Sequence, residues 1–539
     1  MTRGLLPVSP FEDAYVPDPG PITKAIAYLS KPRYVMLLCA AVLFYRVPDT
    51  FINPQFYVED GVRFFPDARQ HGIASLFESW TNYLHLVPRL FAYIVSPIPA
   101  RYAPAAYKAY ALLAHIGVIG YLFSNRINLS HKPLMAFAIV LTPCLDNACI
   151  VNLTNGQWSL AQMMILLCIS NDATTRGQKV FDLVLLLLTG MTGPFTTLFL
   201  PVFAYRAIVR KSRWSYALLA IVCCLTAMQL ALVMILPWAN GRPDIRIPFN
   251  LHDPNWHGVF GDSIVGVMVA GVNAPLIFEN SWVLTVLSAG LFAGLLFNAR
   301  VRRDSASPIF LFCGAAVLLA ASVSWKSAPG TLVRLPQYHY LFRIMLSWAL
   351  IQSLSTPGWQ RIAAGVVLAW SALAALPGLQ TPPALDLHWA EASRLVESPG
   401  EVEIPITSSN YLMILHNPES SKSATASEVL TEHKEWTTGS DGQPFQPVIF
   451  ALKEPTYFCG VRIKYRLASL DGSKVTARIV WLNSFDTPPY PNKGFMDLAS
   501  TDDKVEIHTG AVCGPIDHVY VLVDKKAVHF EIIQLERLY

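Results

Sequence analysis

The sequence predicts a polytopic α-helical membrane protein, with about eleven transmembrane helices and a C-terminal β-sandwich domain. Three observations predict it. First, of 539 residues 53% are hydrophobic and only 14% charged, against about 25% charged in soluble globular chains. Lipid therefore solvates much of this chain. Second, the net charge of +4 is unevenly divided. Residues 1–385 carry 27 Lys+Arg against 16 Asp+Glu, and residues 386–539 carry 14 against 21, so the two parts meet different surroundings. Third, apolar runs near span length fill the first part, and short alternating runs fill the last.

Apolar runs at 33–48, 104–124, 132–148, 157–171, 179–191, 194–210, 214–238, 278–298, 307–324, 338–355 and 359–378 predict the eleven helices. Basic clusters fall in alternate loops: Lys24, Lys31 and Arg33; Arg126 and Lys132; Arg176 and Lys179; Arg206, Arg210, Lys211 and Arg213; Arg300, Arg302 and Arg303; Arg361. The positive-inside rule makes that side cytoplasmic. The expected divisions are a cytoplasmic tail (1–32), a transmembrane domain (33–378) with a long outer loop (49–103), and an extracytoplasmic domain (379–539). The first 30 residues are Pro-rich and polar, without a signal-peptide core.

The outer loop holds YVEDGVRFFPDARQHG and SLFESWTNYLHLVPRLFAYIVSP. Both are apolar at helical spacing but too broken to span, so surface helices are expected. The other sizeable outer loops are 239–277 and 325–337. The last part begins with an amphipathic LDLHWAEASRLV. EVEIPI, YLMILH, PVIFAL, CGVRIKYRLA, KVTARIVWL, KVEIHT, HVYVLV and HFEIIQL follow, an antiparallel sandwich pattern. Of nine cysteines, Cys459 and Cys513 fall here. A disulfide between them requires an oxidising compartment.

Three groups of residues suggest chemistry. Glu59 and Asp60 follow the first span, among Phe56, Tyr57, Phe64 and Phe65. Such a pair either supplies a general base, its pKa lifted by partial burial, or caps a helix start. Arg63, Arg89, Lys326 and Arg334 are outer-loop cations. They either grip a phosphate or snorkel to headgroups. His85 and His339 lie near them in sequence. Asn155, Gln157 and Trp158 in NLTNGQWSLAQ either recognise a sugar or form a helix cap and interfacial belt. TGPF (192–195) reads as a structural turn. Walker A, GxSxG and HExxH motifs are absent, and the acidic soluble part lacks a nucleic-acid-binding stripe.

An inside N-terminus, a first span and a long outer loop opening on VED resemble the GT-C membrane glycosyltransferases. Within that class, the chain is similar to bacterial enzymes that use polyprenyl-phosphate sugars. YLHLVPRL, NGQW, TGPF and RLPQYHYL also look like sequence blocks of such proteins. The resemblance implies an enzyme of the bacterial inner membrane. It would move a sugar from a polyprenyl-phosphate donor to a surface glycan or lipid-linked acceptor, inverting the anomeric carbon. It makes Asp60 the base, with Glu59 beside it, and gives Arg63, Arg89, Lys326 and Arg334 the donor phosphate. His85, Asn155, Gln157, Trp158 and His339 then take sugar or acceptor. Phosphate is a good leaving group, so no cofactor or metal is demanded. The rival reading is a transporter or lipid-linked-glycan flippase, which would need charges within the spans. These spans read as almost purely apolar.

Overall fold

A computed structural model describes residues 28–80, 83–142, 150–239, 261, 265–266, 268, 282–302, 304–324, 337–384, 386–406, 411–418, 427–438, 448–469, 476–482, 494–499, 504–523 and 528–538. Helices stand at all eleven expected positions: α1 (Pro32–Arg46), then after the acidic loop α2 (Phe65–His71) and α3 (Leu86–Val95), then α4 (Ala103–Leu122), α5 (Lys132–Leu141), α6 (Gly156–Ile169), α7 (Arg176–Gly190), α8 (Phe195–Arg210), α9 (Arg213–Ala239), α10 (Trp282–Arg302), α11 (Ala306–Ser324), α12 (Gln337–Ser353) and α13 (Trp359–Ala375). By length and composition, four helical stretches among the described residues can cross a membrane: Ala100–Leu122, Arg213–Leu232, Val283–Val301 and Trp359–Gly378. The others are shorter than the roughly 20 residues a span requires. Helices stand in the acidic loop where short ones were expected, as α2 and α3. The tail before residue 28, most of loop 239–277 and nearly all of loop 325–337 lie outside the described residues.

The first helices pack antiparallel, and their ends form two polar layers. At the basic end, Arg126 grips both carboxylate oxygens of Asp182 at 2.6 and 2.7 Å, and the Trp214 indole donates to the same carboxylate at 3.0 Å. Arg206 donates to the carbonyls of Leu167, Cys168 and Ser170 and to Asp172. It thereby satisfies the last carbonyls of α6, which have no partner within the helix. At the other end, Arg46 of α1 donates to the carbonyls of Val140 and Thr142, closing α5 in the same manner. Between these layers a continuous apolar core joins α1 and α4–α9 to α11 and α12.

The C-terminal part is an eight-stranded sheet: β1 (Gly400–Pro405), β2 (Leu412–Asn417), β3 (Ser427–Thr438), β4 (Val448–Ser469), β5 (Thr476–Leu482), β6 (Gly494–Ala499), β7 (Glu506–Val523) and β8 (Val528–Leu538). Its order is β2-β1-β7-β4-β8-β3, with β5 joining β6 to β7. Several features differ from the sequence expectation. PVIFAL and CGVRIKYRLA form one strand, β4, and KVEIHT and HVYVLV form one strand, β7. Pro455 and Pro515 read as breaks, yet β4 and β7 run past them. The register shift spanning Pro455, between Ala451 and Thr456, absorbs the missing donor. Strands β3 and β6 were not expected, and in β3 the segment SEVLTEHKEWTT is charged rather than alternating. Among the described residues β3 lies at a sheet edge and pairs with β8, where charge is tolerated. The β1–β7 pairing is parallel, whereas antiparallel pairing was expected throughout. LDLHWAEASRLV forms only a four-residue helix, Trp389–Ala392, and a 3₁₀ turn.

The sheet is seated on the acidic loop. Trp389, 4% exposed, stands edge-on to Phe56 at 4.8 Å and donates to the Ala100 carbonyl at 3.2 Å. Phe64, Phe65, Val402, Ile404, Met413 and Leu415 join the same buried cluster. Arg69 pairs with Glu397 across the junction. Replacing Trp389 by Ala should cost about 3–5 kcal/mol. The cost should appear as faster proteolytic release of the C-terminal part and a lower melting temperature in detergent.

Candidate active site

The chain enters the acidic segment through a single turn of π-helix, Asp60–Phe64. Such turns widen the helix and recur at functional sites. The turn sends Asp60 inward and leaves Arg63 exposed. Gly61 makes the close approach feasible, because a Cβ there would stand 3.0 Å from Ile406 of the sheet part and from Phe56.

Asp60 is completely buried. Its Oδ2 accepts from the Leu153 amide at 3.0 Å. Its Oδ1 accepts from the Thr154 amide at 2.9 Å and the Thr154 hydroxyl at 2.6 Å. Burial pushes its carboxyl up. The charge of Lys108 opposes that most strongly, followed by the Thr154 and Leu153 hydrogen bonds. Lys108 is itself buried, in the second turn of α4. Beside it the hydroxyls of Tyr107 and Tyr110 are buried with no hydrogen-bond partner among the described residues, and both feel the Asp60 charge. An accessible base at Asp60 is therefore not what the described residues provide: the carboxylate is completely buried and its oxygens accept from three donors. Its neighbour differs. Glu59 is half-buried, and burial pushes its carboxyl up to about 7, its own backbone N–H opposing and the adjacent Asp60 charge adding.

Four sequence blocks meet at this acidic end. VED joins NLT through Asp60. YLHLVPRL joins TGPF: the Gly193 amide donates to Leu84 and the Leu86 amide to Met191, each at 3.0 Å, with His85 bridged to Thr192. The Thr192 hydroxyl accepts from the Val87 amide at 3.0 Å. Gly193 adopts φ +85°, and a Cβ there would meet the Phe195 ring at 2.9 Å. Gln229 ties these two segments, donating to the Gly190 carbonyl at 2.9 Å and accepting from the Leu84 amide at 3.4 Å.

The remaining predicted residues are brought near, but most point inward. Arg63 is exposed, with its guanidinium 4.6 Å above the Trp80 ring. Arg89 is buried, and its charge is matched by Asp67 at 3.0 Å and Glu78 at 3.5 Å, so the expected phosphate grip is already taken by acids. His85 is buried and neither ring nitrogen makes a hydrogen bond of normal geometry. Burial, then the nearby Arg89 charge, lowers it to about 3, so the ring is neutral. Asn155 is occupied with its own segment, its Oδ1 accepting from the Trp158 indole at 3.0 Å. Trp158 is buried against Phe195 at 5.9 Å and offers no face for stacking on a sugar. Gln157 and His339 are buried as well. Lys326 and Arg334 lie outside the described residues, as do the side chains of Cys459 and Cys513.

Lys108 was missed by the sequence reading, which took the spans as almost purely apolar. A single Lys in APAAYKAYALLAHIG was the available signal, since a charge within a span requires a partner. His115 and Arg343 are likewise buried within helices. Replacing Asp60 by Asn would leave Lys108 buried without its opposing charge, and the melting temperature should fall. The double variant Asp60→Asn/Lys108→Met should lose less than the two single losses combined, a coupling measurable by thermal unfolding in detergent. Comparison with known proteins gives no likeness to weigh against this geometry: no family model, curated protein or solved structure matches the chain.

Proposed function

We propose that the chain is an inverting membrane glycosyltransferase drawing on a polyprenyl-phosphate sugar, with Glu59 as general base and Asp60 as the residue that positions it. The observation that carries this reading is the half-buried Glu59, pushed up to about 7, at the point where four loop segments interlock. A base with a pKa near the working pH is the most effective one. Glu59 accepts the proton of an acceptor hydroxyl, and that oxygen attacks the anomeric carbon. The bond to the phosphate oxygen breaks, and the phosphate leaves with the electron pair. Arg63, exposed one turn along, is the described cation best placed to meet the growing negative charge. The acceptor is a surface glycan or lipid-linked glycan. This reading carries with it eleven spans, a periplasmic acidic end in a bacterial inner membrane and a closed sandwich above it.

Buried Lys108, His115 and Arg343 are what a transporter or flippase would use. Lys108, however, feels the Asp60 charge, as a lock between loop and bundle would. Incubation with polyprenyl-phosphate sugars and glycan acceptors separates the readings. Glu59→Gln should keep the wild-type melting temperature and lose about 10²–10⁴-fold in transfer rate. In the wild type kcat/KM should fall as pH drops below about 7, because protonation removes the base, and Glu59→Gln should lack that limb. Wild-type transfer by Glu59→Gln would exclude the assignment. Solute or lipid movement across vesicles without donor consumption would favour transport.

A further inference from the structure

Beyond the acidic pair, α2 carries a second group of charged side chains that the proposed transfer reaction does not use. Asp67 and His71 lie four residues apart, hence on one face of the helix. Gly72 and a 3₁₀ turn, Gly72–Phe77, bring Glu78 back to the same place. One ligand atom from each of the three lies within 4.8 Å of the other two. Nδ1 of His71 stands 2.6 Å from Oε1 of Glu78. The Asp67 and Glu78 carboxylates also meet at the same Arg89 nitrogen. Two carboxylates that meet need a proton or a cation between them.

Arg89 does not meet that need fully. Its Nη1 touches Asp67 Oδ2 at 3.0 Å and Glu78 Oε2 at 3.5 Å, so one guanidinium faces two carboxylates and one negative charge is left over. Asp67 Oδ1 and Glu78 Oε1 take no part in these contacts, and an imidazole nitrogen stands beside the second. The Glu78 and His71 side chains are 35% and 48% exposed, which leaves an entry path and room for water ligands. Arg89 then acts as the hydrogen-bonding group behind a ligating carboxylate, an arrangement usual around metal ions.

We infer that Asp67, His71 and Glu78 form a divalent transition-metal site that pins α2 to the turn after it. One imidazole with two carboxylates suits zinc or manganese, whereas calcium prefers oxygen ligands alone. The metal replaces the hydrogen bond between His71 Nδ1 and Glu78 Oε1, and the neutral ring then carries its single proton on Nε2. The ligands are separate from Glu59 and Asp60, so the site stands or falls apart from the proposed transferase activity.

The test is titration of the purified full-length chain in detergent with Zn²⁺, Mn²⁺ and Ca²⁺, followed by calorimetry and by melting temperature. The expected result is one Zn²⁺ per chain, Mn²⁺ weaker and Ca²⁺ weakest, with metal raising the melting temperature. His71→Ala, at an exposed position, should keep the metal-free melting temperature and weaken Zn²⁺ binding by about 10–100-fold. Asp67→Asn should weaken it similarly. Absence of stoichiometric binding to the wild type would overturn the site. So would undiminished affinity in a folded His71→Ala, or a preference for Ca²⁺ that is indifferent to His71.

Discussion

The three hydrogen bonds that Leu153 and Thr154 give to the buried Asp60 carboxylate hold the acidic end together. A carboxylate buried completely is tolerable only if its charge is met and its oxygens are satisfied. Lys108 meets the charge, and the 153–154 segment satisfies the oxygens. The consequence reaches along the chain. Once Asp60 is fixed, the π turn fixes where Glu59 and Arg63 point, and the NGQW segment is held at the start of α6. The first loop, the bundle and the sheet part share this anchor, since Ile406 closes over Gly61 from the sheet side.

This anchor divides the labour of the acidic pair. A carboxylate that accepts three strong hydrogen bonds has little capacity left to take a proton from a substrate. Its neighbour has none of those donors, is partly exposed, and feels the Asp60 charge in addition to desolvation. Like charges placed next to each other push the pKa of one member up, so charge on Asp60 adds to the burial that raises Glu59. The two residues differ in environment rather than in type, and that distinction cannot be read from the letters VED.

How far the sequence could be read follows the same line. Helix positions were legible because apolar runs and the loops between them are set by local composition. Arg126, Asp182 and Arg206 meeting at one end agrees with the alternation of basic loops. The strands were legible where they alternate. Edge strand β3 and the continuity of β4 and β7 past Pro455 and Pro515 were not, because edges and register shifts depend on the neighbour across the sheet. The candidate blocks VED, YLHLVPRL and NGQW were legible as such, and in the structure they converge with TGPF, which read as a turn. The direction of each side chain was not legible. Trp158, Gln157, Asn155 and Arg89 belong to the right place but serve its interior.

That inward turn has a physical reason. Loops at the end of a bundle of short helices expose many backbone groups, and each must find a partner. Here amides and hydroxyls from one block satisfy the next: Thr192 takes the Val87 amide, Gln229 serves both Gly190 and Leu84, and Asn152 takes the Asn155 amide. Polar residues of the kind that recognise sugars are equally the kind that stitch such loops together, so their type carries no direction. What distinguishes Glu59 and Arg63 is that the stitching leaves them out: one turn of wide helix buries Asp60 on its inner side and presents these two on the other. A site built in this way depends for its precision on interior bonds, and for its chemistry on the few charges that those bonds do not consume.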